Sequence, residues 1–374
     1  MDTFTDERLR YRIALSHVKG INRLLAESLI DTLGDEASFF RLSQSELTQL
    51  TGWNNSFFTE AERGRVLRLA AEEVEFVRKK GITPLFFTDS DYPQRLLECN
   101  DAPLMLYYKG TASLQSPRVV SIVGTRHATP YGKNFVETFV RDLADLSPNT
   151  LIVSGLAYGI DITAHRAALR SGLPTVAVLG HGLNTIYPAQ HRNTAIEMLS
   201  QGGILTEYAS TQIPHRGLFL SRNRIVAGLA DAVVVVESGL EGGSLFTARV
   251  AVDYHRDVFA LPGRVGDISS MGCNELIRSN RAALLTSAQD LVEAMGWAVS
   301  SHRPVQTSLA APCDDDLLPE EKLLIQYLAE HGEGQINHMA IALDRPIAQL
   351  SSMLVELEFK GKVIAFPGGV YRCV

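Results

Sequence analysis

Arg216, Phe219, Arg222 and Arg224 fall within nine residues of the segment HRGLFLSRNR. Cations interleaved with an aromatic ring suit a single strand of nucleic acid, because the cations meet backbone phosphates and the ring stacks on a base. Phe219 equally fits a plain core position. On one helix Arg222 and Arg224 project about 200 degrees apart, so one ligand meets both only if Arg222 precedes the helix. Otherwise one of them serves internally, against a carboxylate such as Asp161 or Glu237. Asn223 lies between them.

Three further stretches offer anion-binding groups. Gly124-Thr125-Arg126 places a hydroxyl and a guanidinium fork after an apolar run, a combination that suits phosphate; an incidental surface ion pair is the alternative for Arg126. Its surroundings, GTRHATPYG, are not a dinucleotide fingerprint, since Arg126 and Thr129 stand where that motif needs glycine. Ser154 and Gly155 open SGLAYGIDITAH, in which Asp161 either caps a helix or orients Arg126 or another cation. His165 has no evident Ser or Cys nucleophile beside it and reads as structural. In Gly242-Gly243-Ser244, with Thr247 one turn on, a helix start leaves backbone amides unpaired. Those amides and the helix dipole form a receptor for phosphate, or the stretch is only a tight turn that Ser244 caps.

These residues need a scaffold that gathers loops at one edge. From Arg118 apolar runs at Val119–Val123, Leu151–Val153, Thr175–Leu179, Ile204–Thr206, Val233–Val236 and Val258–Leu261 alternate with segments long enough for crossover helices. The pattern predicts an α/β fold, a Rossmann-like, doubly wound, mostly parallel sheet. Gly124, Gly155, Gly180, Gly239 and Gly263 follow these strands closely. They cluster at the carboxyl edge, where open α/β sheets bind ligands.

With 374 residues and 45% hydrophobic content the chain has material for two or three domains. Residues 1–75 read as a small helical domain, and Val18-Lys19-Gly20-Ile21-Asn22 within it is either a helix-hairpin-helix (SAM-like) turn or an ordinary interhelical turn. Residues 76–297 form the sheet domain, whose first part is an extended aromatic segment, TPLFFTDSDYPQRLLECNDAPLMLYYKG, packed against the alternating strands and helices. Residues 298–316, without periodicity and rich in Ser, Pro and Asp, read as a linker. Residues 317–374 give three helices and a hairpin with Gly368 and Gly369 in its turn, which suggests a winged helix. Glu356 and Glu358 against Lys360 on its third helix argue against a groove-reading role and favour a regulatory or protein-interaction module.

The net charge of -7 argues against a uniformly basic face. The distribution is more informative: residues 1–115 carry 14 Lys+Arg against 17 Asp+Glu, residues 116–297 carry 15 against 15, and residues 298–374 carry 6 against 10. A polyanion must therefore use a local cluster in the neutral middle. The four cysteines are scattered with no CxxC pair, so neither a disulfide framework nor a metal site is expected. The charged start and the short apolar runs predict no signal peptide and no membrane insertion, and hence a cytoplasmic location.

SIVGTRHATPYG, SGLAYGIDITAH, AVLGHGLNTIYP, FLSRNRIVAGLADAVVVVES, GGSLFTARVA and VFALPG resemble, in this order, the DNA-processing protein A (DprA/Smf) family. The resemblance runs over nearly the whole chain. It implies a non-enzymatic protein of natural transformation that binds and protects incoming single-stranded DNA and helps load the RecA recombinase, with a homodimeric core and no cofactor. Carried over by position, it assigns Arg126 and Arg216 to phosphates and Phe219 to base stacking. Ser154, Gly155, Gly243 and Ser244 would line the pocket. Gly242 departs from the family's usual serine there, which removes a hydroxyl but keeps the amides. The competing reading is a Rossmann-like hydrolase of nucleoside monophosphates with a PGGxGTxxE motif, and GGSLFTARV lacks that glutamate.

Overall fold

The computed structural model describes residues 3–53, 58–297, 318–331, 334–343, 345–366 and 370–373. The expected linker and the turn at Gly368 and Gly369 lie outside them. The chain divides into two compact units, residues 1–301 and 302–374.

The first unit begins with five helices, α1 (Thr3–Ser16), α2 (Arg23–Leu33), α3 (Ser38–Arg41), α4 (Gln44–Thr51) and α5 (Glu60–Lys80). Side-chain caps from Asn22, Ser43 and Thr59 start α2, α4 and α5, and left-handed glycines stop α4 and α5. Val18-Lys19-Gly20-Ile21-Asn22 is the turn from α1 into α2, with Gly20 at φ 82°. Strand β1 (Thr83–Phe86), short helix α6 (Gln94–Leu97) and strand β2 (Met105–Gly110) follow. The aromatic segment expected to be merely extended thus supplies two strands, and they join the main sheet.

From β3 (Arg118–Gly124) the chain alternates: α7 (Pro130–Leu146), β4 (Thr150–Ser154), α8 (Ile160–Arg170), β5 (Thr175–Val178), α9 (Arg192–Gln201) and β6 (Gly202–Thr206). It continues through α10 (Arg216–Leu229), β7 (Ala232–Val236), α11 (Gly243–Asp253), β8 (Asp257–Ala260), α12 (Met271–Arg278), β9 (Ala283–Leu284) and α13 (Ala288–Ala294). The strands form one nine-stranded sheet in the order β1-β2-β6-β5-β4-β3-β7-β8-β9. Pairing is parallel from β6 to β9, and β1 and β2 complete the other edge antiparallel. The six apolar runs legible in the sequence are β3 to β8.

Alternate residues of the central strands feed opposite cores, which is why whole runs such as Ala232–Val236 are apolar. Val120, Ile122, Val234 and Val236 pack with α7, α8 and α13. Val119, Val123, Val233 and Val235 belong to the core that includes α10, α11, α12 and the amino-terminal helices. From β3 the chain winds outward through β4, β5 and β6, then returns to β7 on the other side of β3. The loops after β3 and β7 therefore diverge, leaving a crevice at their carboxyl ends.

The second unit contains α14 (Pro319–His331), β10 (Gly334–Gln335), α15 (Ile336–Ala342), α16 (Ile347–Phe359), β11 (Val363–Phe366) and β12 (Val370–Cys373). Its three strands pair antiparallel in the order β10-β12-β11. Leu324, Leu328, Met339, Leu350, Leu354, Leu357 and Val363 form its core.

Candidate nucleic-acid interface

The crevice between β3 and β7 opens into a cavity of about 790 Å³. Its wall on the β3 side is the Gly124-Thr125-Arg126 turn, clamped from both neighbours. Thr125 N–H donates to the Glu237 carbonyl at the end of β7 (2.8 Å), and the Thr125 carbonyl accepts from Ile160 N–H at the start of α8 (3.2 Å). A side chain at Gly124 would collide with the Val236 carbonyl, its Cβ lying only 1.9 Å away. The clamp fixes the backbone and leaves the Arg126 side chain exposed over the cavity, with no ion pair or hydrogen bond to any described residue. An incidental surface ion pair, the alternative reading of Arg126, is therefore not what the structure shows.

The opposite wall is the start of α11. Its N-cap is Gly242, and no side chain caps the first turn. Ser244, expected as the cap, is instead the second helical residue, and its hydroxyl donates to Ser238 Oγ at 2.8 Å. A Cβ at Gly242 would lie 2.3 Å from that same Ser238 Oγ, so Ser238 occupies the space a larger residue at 242 would need. Gly243 is different: a Cβ there meets nothing within 4 Å. Its missing side chain leaves the first-turn amides open to the cavity. Thr247, one turn on, lines the same wall and bonds the Gly243 carbonyl at 3.3 Å.

Helix α10 supplies the third side. Arg216 sits at its first residue, exposed, and pairs with no described residue. Phe219 lies half-buried, with its ring 5.6 Å from that of Tyr187. Arg222 and Arg224 both fall within the helix and separate as the helical period requires. Arg222 turns under the cavity, where it is 4% exposed and donates to the carbonyls of Gly155 (2.7 Å) and Val178. Burial pulls its guanidinium down to about 10, and the neighbouring Asp161 opposes that shift. It remains charged at neutral pH. Asn223 accepts from Arg222 Nε at 3.1 Å and reaches the Gly243 carbonyl at 3.4 Å, tying α10 to α11.

Two expected lining residues lie elsewhere. Ser154 is fully buried at the end of β4, its hydroxyl donating to the Ile122 carbonyl at 2.6 Å, so it braces the sheet beneath the crevice. Arg224 points away from the cavity into a pair with Glu207, a partner that neither of the anticipated carboxylates, Asp161 and Glu237, supplies. Gly155, by contrast, does line the cavity.

Asp161 neither caps its helix nor reaches Arg126. Its carboxylate accepts from the amides of Gly155 (3.2 Å) and Ala157 (3.3 Å), in the turn before α8. Burial pushes its carboxyl upward, against the pull of Arg222 and those amides. His165 is structural, as read: it is buried, its Nδ1 lies 2.7 Å from Thr175 Oγ, and burial drives it down to about 3. Several lining residues had no sequence assignment, Tyr187, Leu220 and Glu241 among them. Tyr187 and Leu220 add apolar surface, and Glu241 adds a carboxylate at the exposed rim. Tyr187 lay within the AVLGHGLNTIYP motif, but only the fold brings that loop beside Phe219. Among the described residues no cluster of His, Cys, Asp and Glu is placed to hold a metal ion.

Residues 83–296 match the family model for DNA recombination-mediator protein A. The chain belongs to the DNA recombination-mediator protein A family. The match begins at β1 and ends beyond α13, so both walls of the cavity lie inside it. Protein Smf of Escherichia coli is 34% identical over 325 residues, covering 83% of this chain and 86% of that protein. The solved DprA of Streptococcus pneumoniae superposes with a TM-score of 0.65 at 32% identity, covering 76% of this chain and 95% of that one. DNA processing protein A from Helicobacter pylori, whose structure concerns its single-stranded DNA binding mode, gives a TM-score of 0.52 at 34% identity, covering 57% of this chain and 95% of that one. These likenesses extend to the Rossmann-like α/β fold. No helix among the described residues is long and apolar enough to cross a membrane.

Proposed function

We propose that this member of the family binds single-stranded DNA in the cavity between β3 and β7 and acts without catalysis, as a homodimer in the cytoplasm. It would protect DNA taken up during natural transformation and help load the RecA recombinase. The carboxy-terminal unit would serve as a winged-helix regulatory or interaction module. One observation carries the reading: two exposed arginines without carboxylate partners among the described residues, Arg126 and Arg216, stand beside the half-buried Phe219 ring over a helix start with no side-chain cap. Phosphates meet cations and amides there, and a base meets the ring, which a stacked duplex cannot present. The single-stranded DNA binding of the H. pylori relative supports the same assignment.

The cavity's two lining carboxylates do not favour the hydrolase alternative. Asp161 is held by two backbone amides, and Glu241 sits at the exposed rim. Salt-dependent anisotropy with single-stranded and duplex oligonucleotides of equal length tests the proposal. Tighter binding of the single strand with a negative salt slope is expected; equal affinity for both forms defeats it. An assay for base release from nucleoside monophosphates should stay at background.

A further inference from the structure

The cavity contains a second aromatic face that no family resemblance assigned. Tyr187, a residue 49% exposed, lines it, with its ring tilted 33° from that of Phe219 at a centroid separation of 5.6 Å. That spacing is too small for a base to slide between the rings, yet it leaves the outer face of Tyr187 open. Its hydroxyl has no hydrogen-bond partner among the described residues, unlike Tyr131 and Tyr158, whose hydroxyls bond the Pro262 carbonyl and Gln190. The ring is therefore held by its loop and by Phe219.

That loop is well anchored. Ile186 packs against a small core of α9 and β5, and His191 Nδ1 bonds the Leu156 carbonyl at 2.8 Å. Phe219 is equally constrained, because a side chain at Gly180 would come within 2.9 Å of its ring. Two fixed rings, one half-buried and one half-open, form a stepped platform beside Arg126 and Arg216. Successive bases of an unpaired strand can each find a π-face on such a platform.

We infer that Tyr187 is a base-stacking residue, so that the cavity holds two consecutive nucleotides, one base on Phe219 and the next on the open face of Tyr187. The inference rests on the proposed single-stranded DNA binding and adds the number of bases read at that site.

Tyr187→Leu keeps apolar bulk and removes the π-face, while Tyr187→Phe keeps the face and removes only the unpartnered hydroxyl. Affinities of the full chain should be measured for an oligothymidylate and for an oligonucleotide of the same length built from abasic sites. Tyr187→Leu should weaken oligothymidylate binding about fivefold or more, leave abasic binding within about twofold of wild type, and be rescued by Tyr187→Phe. A Tyr187→Leu protein that binds oligothymidylate like wild type overturns the inference, as do equal losses on both ligands, the mark of a merely structural role. Arg126→Ala separates the two levels: if it weakens binding while Tyr187→Leu is silent, the stacking role falls and the DNA-binding reading stands. If wild type binds no single-stranded DNA, both fall.

Discussion

The guanidinium of Arg222 occupies the space that a side chain at Gly155 would need. Arg222 Nη1 donates to the Gly155 carbonyl at 2.7 Å, and a Cβ at position 155 would lie 2.4 Å from that nitrogen. Arg222, Gly155 and Asp161 therefore form a single buried unit under the cavity. Gly155→Ala is expected to displace the guanidinium and destabilise the protein by about 1–3 kcal/mol, the usual range for overpacking. Arg222→Ala should cost more, about 3–5 kcal/mol, because it empties the guanidinium's space, strips the buried Gly155 and Val178 carbonyls of their donor and removes the positive charge near buried Asp161. Urea unfolding of the two variants measures both, and an Arg222→Ala protein as stable as wild type would contradict the buried-unit account.

Arg126 and Arg216 should behave in the opposite way. Both are exposed and unpaired among the described residues, so Arg126→Ala or Arg216→Ala should leave stability within about 0.5 kcal/mol. Each should weaken single-stranded DNA binding and lower the slope of log affinity against log salt by about 0.7, the value for one phosphate contact on a single strand. The loss should be similar for oligonucleotides of different sequence.

Gly243 tests the open helix start sterically. A Cβ there meets no protein atom within 4 Å, so Gly243→Val fits the fold and projects its methyl groups into the cavity. The variant should unfold at nearly the wild-type urea concentration yet bind single-stranded DNA more weakly. Unchanged affinity would place the strand away from α11.

Glu241 brings a negative charge to the rim of a cavity read as a phosphate receptor. Glu241→Gln should tighten DNA binding at low salt, and the gain should shrink as ionic strength shortens the Debye length to about 8 Å at 0.15 M. Titrations at two salt concentrations provide the check.

His165 sets a pH dependence of stability. Its folded pKa is depressed to about 3 by burial, whereas an unfolded histidine titrates near 6.5. Between those values the unfolded chain binds the extra proton, so stability falls as pH drops through that window, by up to about 1.4 kcal/mol per pH unit from this group. His165→Asn removes the titration. Its stability should decline less steeply than wild type from pH 6.5 to 5, measured by urea unfolding.

The parallel part of the sheet was readable because each strand is an unbroken apolar run covered on both faces, as Val119–Val123 and Ala232–Val236 show. Strands β1 and β2 were not, since the aromatic residues of TPLFF and MLYY fit an extended packed segment as well as an antiparallel edge. At the cavity, Arg126 and Gly155 were placed by their strand-end positions, Gly243 by a helix start, and Arg216 and Phe219 by cations interleaved with an aromatic ring. The destination of a long or rotatable side chain was harder. Arg224 meets Glu207 from another element, Ser154 turns its hydroxyl into the sheet, and Tyr187 gains its neighbour only when the loop after β5 folds over α10.

The antiparallel edge depends on the amino-terminal helices. Arg12 lies over the Phe86 ring and pairs with Asp89, Glu73 of α5 accepts from Ser210, and Lys109 caps the Lys80 carbonyl. A chain trimmed to the family-matched span, residues 83–296, would keep every residue of the cavity but lose this roof. Phe86, Leu85 and their neighbours would then face water, and the trimmed protein would self-associate through that bared surface. The least motif-rich part of the chain thus shields the apolar edge of the cavity-bearing sheet from water.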